Sequence, residues 1–217
     1  MRTRSSTGDV VKICEHFRSL QGEGLMMGIP THFIRTVGCN LTCEWCDTGY
    51  ASEGGMEMSI EEIVNVIGNT ENVCVTGGEP LLQKDTIPLL ERLVAIGKKI
   101  TVETNGSIDV SKIPQSQRII ISMDIKCPSS GMNDRMLYSN VPMLKEKDQL
   151  KFVIGDKSDL EYATEFVRNN EVCASIIFTP VGGMNLRPLA EEVLARRLNV
   201  RVLPQLHKLI WGDQRAV

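Results

Sequence analysis

The chain has 217 residues, 42 % of them hydrophobic and 24 % charged, with a formal net charge of −3. That length supports one compact domain with a core of its own, and no apolar run reaches membrane-spanning length. Without a Lys/Arg stripe the sequence lacks the electrostatic footprint of a nucleic-acid binder, and its start does not read as a signal peptide.

In chain order, residues 1–30 read as an N-terminal extension. Seven strands follow, at His32–Val37, Asn72–Thr76, Lys99–Glu103, Arg118–Asp124, Gln149–Ile154, Val172–Thr179 and Val200–Leu206. They are rich in Ile, Val and Phe, and several read as apolar on both faces, as in a parallel sheet covered by helices. Between them, Ser59-Ile-Glu-Glu62 is a capping box opening a helix through Ile67. Thr86–Ile96 repeats apolar residues at helical spacing, with Gly97 placed to close it, and Ser158–Val167 and Pro188–Leu198 complete the series. Alternation of this kind predicts right-handed βαβ units. The fold class is therefore α/β, with parallel strands in a sheet that is open or curled into a partial barrel. One domain spans residues 1–217, with a core at 31–206 and a C-terminal tail at 207–217.

In such sheets chemistry gathers beyond the carboxyl ends of the strands. The loop after the first strand carries Cys39, Cys43 and Cys46 in Gly38-Cys-Asn-Leu-Thr-Cys-Glu-Trp-Cys-Asp-Thr48. Three thiolates at that spacing can ligate three irons of a [4Fe–4S] cube and leave one iron open. Structural zinc takes four N/S ligands, and no second Cys-x2-Cys pair is present, nor does His16, His32 or His207 lie at knuckle spacing. A disulfide framework fits poorly with seven cysteines in a chain long enough to build a core. Cys74 and Cys173 lie in apolar runs and read as small buried hydrophobes.

The second strand runs into Gly77-Gly78-Glu79-Pro80, where glycines permit close backbone approach to a ligand. The third ends Glu103-Thr-Asn-Gly106, the fourth Ser122-Met-Asp-Ile-Lys126 and the sixth Thr179-Pro-Val-Gly-Gly183. Polar groups thus emerge from successive apolar strands. The segment Gln205–Gly212 can cover a mouth, with His207 reading as structural rather than catalytic.

Cys39-x3-Cys43-x2-Cys46, with Trp45 before the last cysteine, resembles the signature of the radical S-adenosylmethionine (SAM) superfamily, and Gly77–Pro80 resembles its GGEP motif. The finer resemblance is to the 7-carboxy-7-deazaguanine synthase family. It rests on Ser19-Leu-Gln-Gly-Glu-Gly24, Gly28-Ile-Pro30, Phe33-Ile-Arg35, the cysteine loop through Thr48, Val75–Pro80, Glu103–Gly106 and Gln205–Lys208, and covers nearly the whole chain. It implies a trimmed (βα)6-type barrel. The implied reaction converts 6-carboxy-5,6,7,8-tetrahydropterin to 7-carboxy-7-deazaguanine with loss of ammonia, SAM being regenerated.

Carried over by position, the resemblance makes Cys39, Cys43 and Cys46 the cluster ligands. SAM is met by Glu44, Trp45, Cys46, Asp47, Gly77, Gly78, Glu79, Glu103, Ser122, Met123, Asp124, Thr179, Pro180, Val181 and Gly182. Mg2+ is held by Thr48 with substrate oxygens and water, as suits a hard cation with few protein ligands. The pterin substrate is met by Leu20, Gln21, Gly22, Glu23, Arg35 and Thr76, with the planar guanidinium of Arg35 against the substrate carboxylate. No side chain is given a catalytic role beyond the cofactors. The implied partners are a flavodoxin- or ferredoxin-type electron donor and a second copy of the chain. Where many relatives have Ser-Pro-Lys, this chain has Ser122-Met-Asp. An activase that makes a glycyl radical on a partner protein would share the cysteine spacing, but would need neither the Leu20–Gly24 segment, Arg35 nor Thr48.

Overall fold

The strands alternate apolar and polar residues with period two, and this alternation decides which face of the sheet meets helices. The computed structural model describes residues 9–217, so residues 1–8 of the expected extension lie outside the described residues. The elements are β1 (Val10–Leu20), β2 (Pro30–Thr36), β3 (Met56–Ser59), α1 (Ile60–Ile67), β4 (Asn72–Gly77), α2 (Thr86–Ala95) and β5 (Lys99–Thr104). They continue with β6 (Ile119–Ile125), β7 (Gln149–Ile154), α3 (Lys157–Asn169), β8 (Ser175–Pro180), α4 (Leu186–Ala195), β9 (Arg201–Val202) and α5 (Leu206–Trp211). The nine strands of the described residues form one sheet in the order β3-β1-β2-β4-β5-β6-β7-β8-β9. Every neighbouring pair from β2 to β9 is parallel, whereas β1 runs antiparallel to both β2 and β3. From β4 onward each new strand adds on the same side, so the winding never reverses. That is barrel-type winding left open, with β3 and β9 as its edges.

The expected extension is corrected here. Residues 10–20 are a strand integral to the sheet, with Glu15 opposite Arg35 and Phe17 stacked on Phe33 at 5.0 Å. The expected last strand, Val200–Leu206, is also corrected: only Arg201 and Val202 pair with β8, and Leu206 begins α5. Strand β8 starts at Ser175, so Cys173 lies exposed in the connection before it, unlike Cys74, which is fully buried in β4. No α-helix joins β5 to β6 or β6 to β7; short 3-10 turns stand there instead. Pro114, Pro128 and Pro142 interrupt those connections, and a proline lacks the N–H a helix interior needs.

The helix-covered face is apolar. Ile34, Val73, Val75, Ile100, Val102, Ile121, Leu150, Phe152 and Phe178 pack there with Ile63, Ile67, Leu89, Leu90, Leu93, Leu160 and Leu189 from the helices. Each such side chain, fully buried, contributes roughly 1.5–3 kcal/mol. The capping box forms as expected: Glu62 N–H donates to Ser59 Oγ at 3.3 Å and Ser59 N–H to Glu62 Oε2 at 2.7 Å. After α2, Lys98 N–H reaches the Leu93 carbonyl and Gly97 N–H that of Val94, with Gly97 at φ +83°.

The expectation of strands apolar on both faces does not hold. The alternate positions Arg35, Thr76, Glu103, Ser122, Asp124, Gln149 and Lys151 are polar, and hydrogen bonds link several of them to one another and to residues 15–25. The inner face is not filled by a hydrophobic core. It is a polar trough.

His32 sits on the outer face of β2, 6 % exposed and stacked on His16 at 5.7 Å, with Nε2 lacking a hydrogen-bond partner. Burial, then the nearby charges of His16, Arg18 and Lys98, push its pKa down to about 4. Below the ordinary value of 6.5 the unfolded chain takes up a proton that the folded chain refuses, so stability falls as pH drops from 6.5 towards 4. His32→Leu is expected to gain about 2 kcal/mol on the parent between pH 7.5 and pH 5, read from urea midpoints at both pH values.

Candidate active site

Strand β2 ends at Thr36, and the chain leaves it through a loop closed at its neck by Gly38 N–H donating to the Ala51 carbonyl at 2.8 Å. Within the loop Cys39 and Cys46 are exposed, Cys43 is half-buried, and all three are free thiols. Donors face the sulfurs: Leu41 N–H lies 3.5 Å and Asn105 Nδ2 3.7 Å from Cys39 Sγ, and the Thr48 hydroxyl 3.7 Å from Cys46 Sγ. Burial pushes the Cys43 thiol up, the Lys126 ammonium works against it, and the Cys46 and Cys39 sulfurs add to the rise. Among the described residues no three His, Cys, Asp or Glu side chains converge on one point to hold a single ion. A cube takes each cysteine on a different iron, so three separated thiols with N–H groups directed at sulfur suit a cluster.

The turn after β4 is fitted against this loop. A Cβ on Gly78 would lie 2.3 Å from the Gly38 carbonyl oxygen and 2.8 Å from Cys39 Cβ, so only glycine allows the approach. Glu79 N–H then donates to the Gly38 carbonyl at 2.8 Å. The Glu79 side chain is fully buried, accepting from Asn105 N–H at 2.6 Å, Leu81 N–H at 3.0 Å and the Thr104 hydroxyl at 3.0 Å. Burial pushes its pKa up to about 7 even against those donors. Its carboxylate therefore ties the ends of β4 and β5 together, and the ligand-facing part of Gly77–Glu79 is backbone.

Residues 21–25 lie across the trough. Gln21 Nε2 donates to Glu103 Oε1 at 3.2 Å, Leu25 N–H to Gln149 Oε1 at 2.7 Å, and Gln149 Nε2 to Ser122 Oγ at 2.6 Å. Lys151 pairs with Glu23 at 2.6 Å and Asp124 at 3.3 Å, and Lys126 with Asp124 at 2.6 Å. Burial works to raise the Glu23 pKa, but Lys151, with Gln205 and His207, outweighs it and holds the group down to about 2. Nearer the cysteine loop, Arg35 Nε donates to Glu15 Oε1 at 2.9 Å and the Tyr50 hydroxyl donates to the same oxygen at 2.9 Å. Arg215 of the C-terminal tail stacks on Tyr50 at 3.4 Å from its ring centre, joining the tail to the cysteine loop.

The structure thus brings Gln21, Glu23, Arg35, Thr76, Glu103, Ser122 and Asp124 to one face, beside Cys39–Thr48 and Gly77–Gly78. Met123 is different: its side chain is fully buried in the helix-side core, leaving only backbone towards the trough. Thr179 is buried at the end of β8, while Val181 and Gly182 are exposed in the turn after Pro180, and Leu20 and Gly22 flank Gln21. Sequence reasoning missed Glu15, Tyr50, Gln149 and Lys151. A lysine between Leu150 and Phe152 in an otherwise apolar strand was the available signal.

Residues 33–136 match the Radical SAM superfamily. The chain is 42 % identical to the 7-carboxy-7-deazaguanine synthase of Thermoplasma acidophilum, covering 93 % of this chain and 97 % of that protein. It is 44 % identical to the enzyme of the same name from Methanospirillum hungatei, over 92 % and 85 % of the two chains. In structure it resembles QueE from Escherichia coli, with a TM-score of 0.76 at 24 % identity over 91 % and 95 % of the chains, a likeness of fold.

Gly78→Ala is expected to lower stability by about 1–3 kcal/mol and to reduce iron incorporation, because its methyl group must displace the Gly38 carbonyl and the Cys39 Cβ beside it. Thermal denaturation of the metal-free protein and iron content after reconstitution measure the two effects.

Proposed function

We infer the reaction from one premise: the chain belongs to the radical SAM superfamily and, within it, to the 7-carboxy-7-deazaguanine synthases. It converts 6-carboxy-5,6,7,8-tetrahydropterin to 7-carboxy-7-deazaguanine with loss of ammonia, a step of 7-deazapurine synthesis. The observation that carries this reading is the polar trough opening directly beside the three-cysteine loop. Cys39, Cys43 and Cys46 hold the cluster, which with SAM supplies the one-electron chemistry.

The chain's own residues bind and orient. Glu15 occupies Nε of Arg35, which leaves the terminal guanidinium nitrogens for the substrate carboxylate and fixes the plane in which they present themselves. Gln21 and Thr76 supply neutral polar groups to the pterin, and the paired Glu23 and Lys151 set the charge of the trough behind it. Glu103, near the end of β5, and Ser122, within β6, accept from SAM hydroxyl or amino groups, and the Gly77–Gly78 backbone and the Thr179–Gly182 turn complete its contacts. Thr48 would be the protein's oxygen ligand for Mg2+, a hard cation that would neutralise charge on the bound substrate. The exposed cysteine loop faces a small flavodoxin- or ferredoxin-type donor, and two chains pair as a homodimer.

The test is anaerobic turnover of the reconstituted, reduced protein with SAM, Mg2+ and 6-carboxytetrahydropterin. The expected result is 7-carboxy-7-deazaguanine, by mass, with SAM intact. Accumulation of 5′-deoxyadenosine without that product would assign a different substrate. Thr48→Ala is expected to abolish stimulation by Mg2+ while leaving iron content unchanged, and Cys43→Ala to abolish cluster assembly; metal analysis and rate measurements with and without Mg2+ check both.

A further inference from the structure

Trp45, the aromatic within the cysteine loop, is anchored from outside that loop. Its indole Nε1–H donates to Ser129 Oγ at 3.0 Å. Ser129, in the 3-10 turn Pro128–Ser130 after β6, donates its own hydroxyl to Asp159 Oδ2 at 2.5 Å, and its backbone N–H reaches Asp159 Oδ1 at 2.8 Å. Asp159 is fully buried in the first turn of α3 and also accepts from Gly155 N–H at 2.7 Å. With its hydroxyl proton directed to Asp159, Ser129 turns its oxygen lone pairs to the Trp45 N–H. One residue before Trp45, Glu44 N–H donates to the Ser130 carbonyl at 3.1 Å, docking the loop backbone on the same turn. Lys126 Nζ lies over the indole ring, 5.6 Å from its centre, and is itself paired with Asp124.

We propose that the buried Asp159–Ser129 pair is a positioning device for Trp45: it fixes the indole in one orientation against the cysteine loop and so sets the affinity of the site for SAM. The proposal rests on the reading of Trp45 as part of the SAM site. Neither Ser129 nor Asp159 hydrogen-bonds to a cluster ligand; their link to the cysteine loop runs through Trp45.

The test is a double-mutant cycle on the reconstituted holoenzyme, with Ser129→Ala, Trp45→Phe and the pair together. SAM dissociation constants are read from the perturbation of the reduced cluster's electron paramagnetic resonance spectrum. Phenylalanine keeps a ring and removes only the N–H donor with the benzo edge, and alanine removes only the acceptor. Ser129→Ala is expected to weaken SAM binding about five- to tenfold, the equivalent of one ordinary hydrogen bond, with iron content and kcat at saturating SAM within about twofold of the parent. The double variant is expected to be no weaker than Trp45→Phe alone, because both changes break one bond. Additive losses, or an unchanged dissociation constant in Ser129→Ala, would overturn the proposal. A second readout guards against general damage: in apoprotein carrying Trp211→Phe, where Trp45 is the only tryptophan left, Ser129→Ala is expected to lower fluorescence anisotropy, and an unaltered value also overturns it. SAM affinity needs no pterin, so an enzyme that binds SAM but fails to turn over 6-carboxytetrahydropterin sinks the proposed reaction without touching this inference.

Discussion

Everything in this molecule depends on how the two faces of one sheet divide their solvent. Helices cover one face and remove it from water. The other is partly enclosed by residues 21–25 and the C-terminal tail, yet carries Glu15, Glu23, Arg35, Glu103, Asp124, Gln149 and Lys151. Charges in such a place are tolerated only when paired and hydrogen-bonded, since an isolated buried ion costs several kcal/mol. The pairs Arg35–Glu15, Lys151–Glu23 and Lys126–Asp124 meet that condition. They contribute little net stability on their own. What they supply is a polar surface of fixed geometry, which a packed apolar barrel interior could not offer to a pterin or a nucleoside.

The cysteine loop is long and contains no α-helix or strand, only a 3-10 turn at Gly49–Ser52, so the shape around the cysteines has to be imposed. Two sets of contacts do this from opposite sides. On one side, Gly78 allows the β4 turn to touch the loop backbone, Glu79 locks that turn to Thr104 and Asn105, and Asn105 reaches Cys39 and Asn40. On the other, Asp159 and Ser129 hold Trp45. The loop ends of β2, β4, β5 and β6 and the first turn of α3 therefore behave as one interlocked unit. Backbone donors and the buried Glu79 carboxyl, its pKa raised by burial, lie inside it, while the Cys39 and Cys46 thiols stay exposed.

Much of this was legible in the sequence, for identifiable reasons. The cysteine spacing, the Gly-Gly-Glu-Pro turn and the Ser59–Glu62 capping box are local patterns whose chemistry needs those residues at those positions. Helix ends marked by Gly97 were legible for the same reason. The N-terminal strand was not, because Val10–Leu20 mixes Lys, Glu, His and Arg with its apolar residues and its pairing partners lie up to 49 residues away, as between Val10 and Ser59. The last strand was drawn too long because Val200, Val202 and Leu206 fall on one face at strand spacing, although Pro204 interrupts the run and Leu206 opens α5. The polar trough was hidden by reading each strand alone: one lysine or glutamine in an apolar run looks like noise until the register sets it beside its neighbours on adjacent strands. Asp159 and Ser129 carried no signal at all, since their roles depend on a contact between a turn and a helix 30 residues apart.

The central claim is that three thiols and the trough beside them leave one iron of a cluster open to SAM. Electron paramagnetic resonance of the anaerobically reconstituted, reduced protein, recorded before and after adding SAM, tests it most directly. The account predicts about four irons per chain and a spectrum that shifts when SAM binds, as the open iron gains new ligands. A spectrum indifferent to SAM, or a protein that takes up zinc in place of iron, would contradict it.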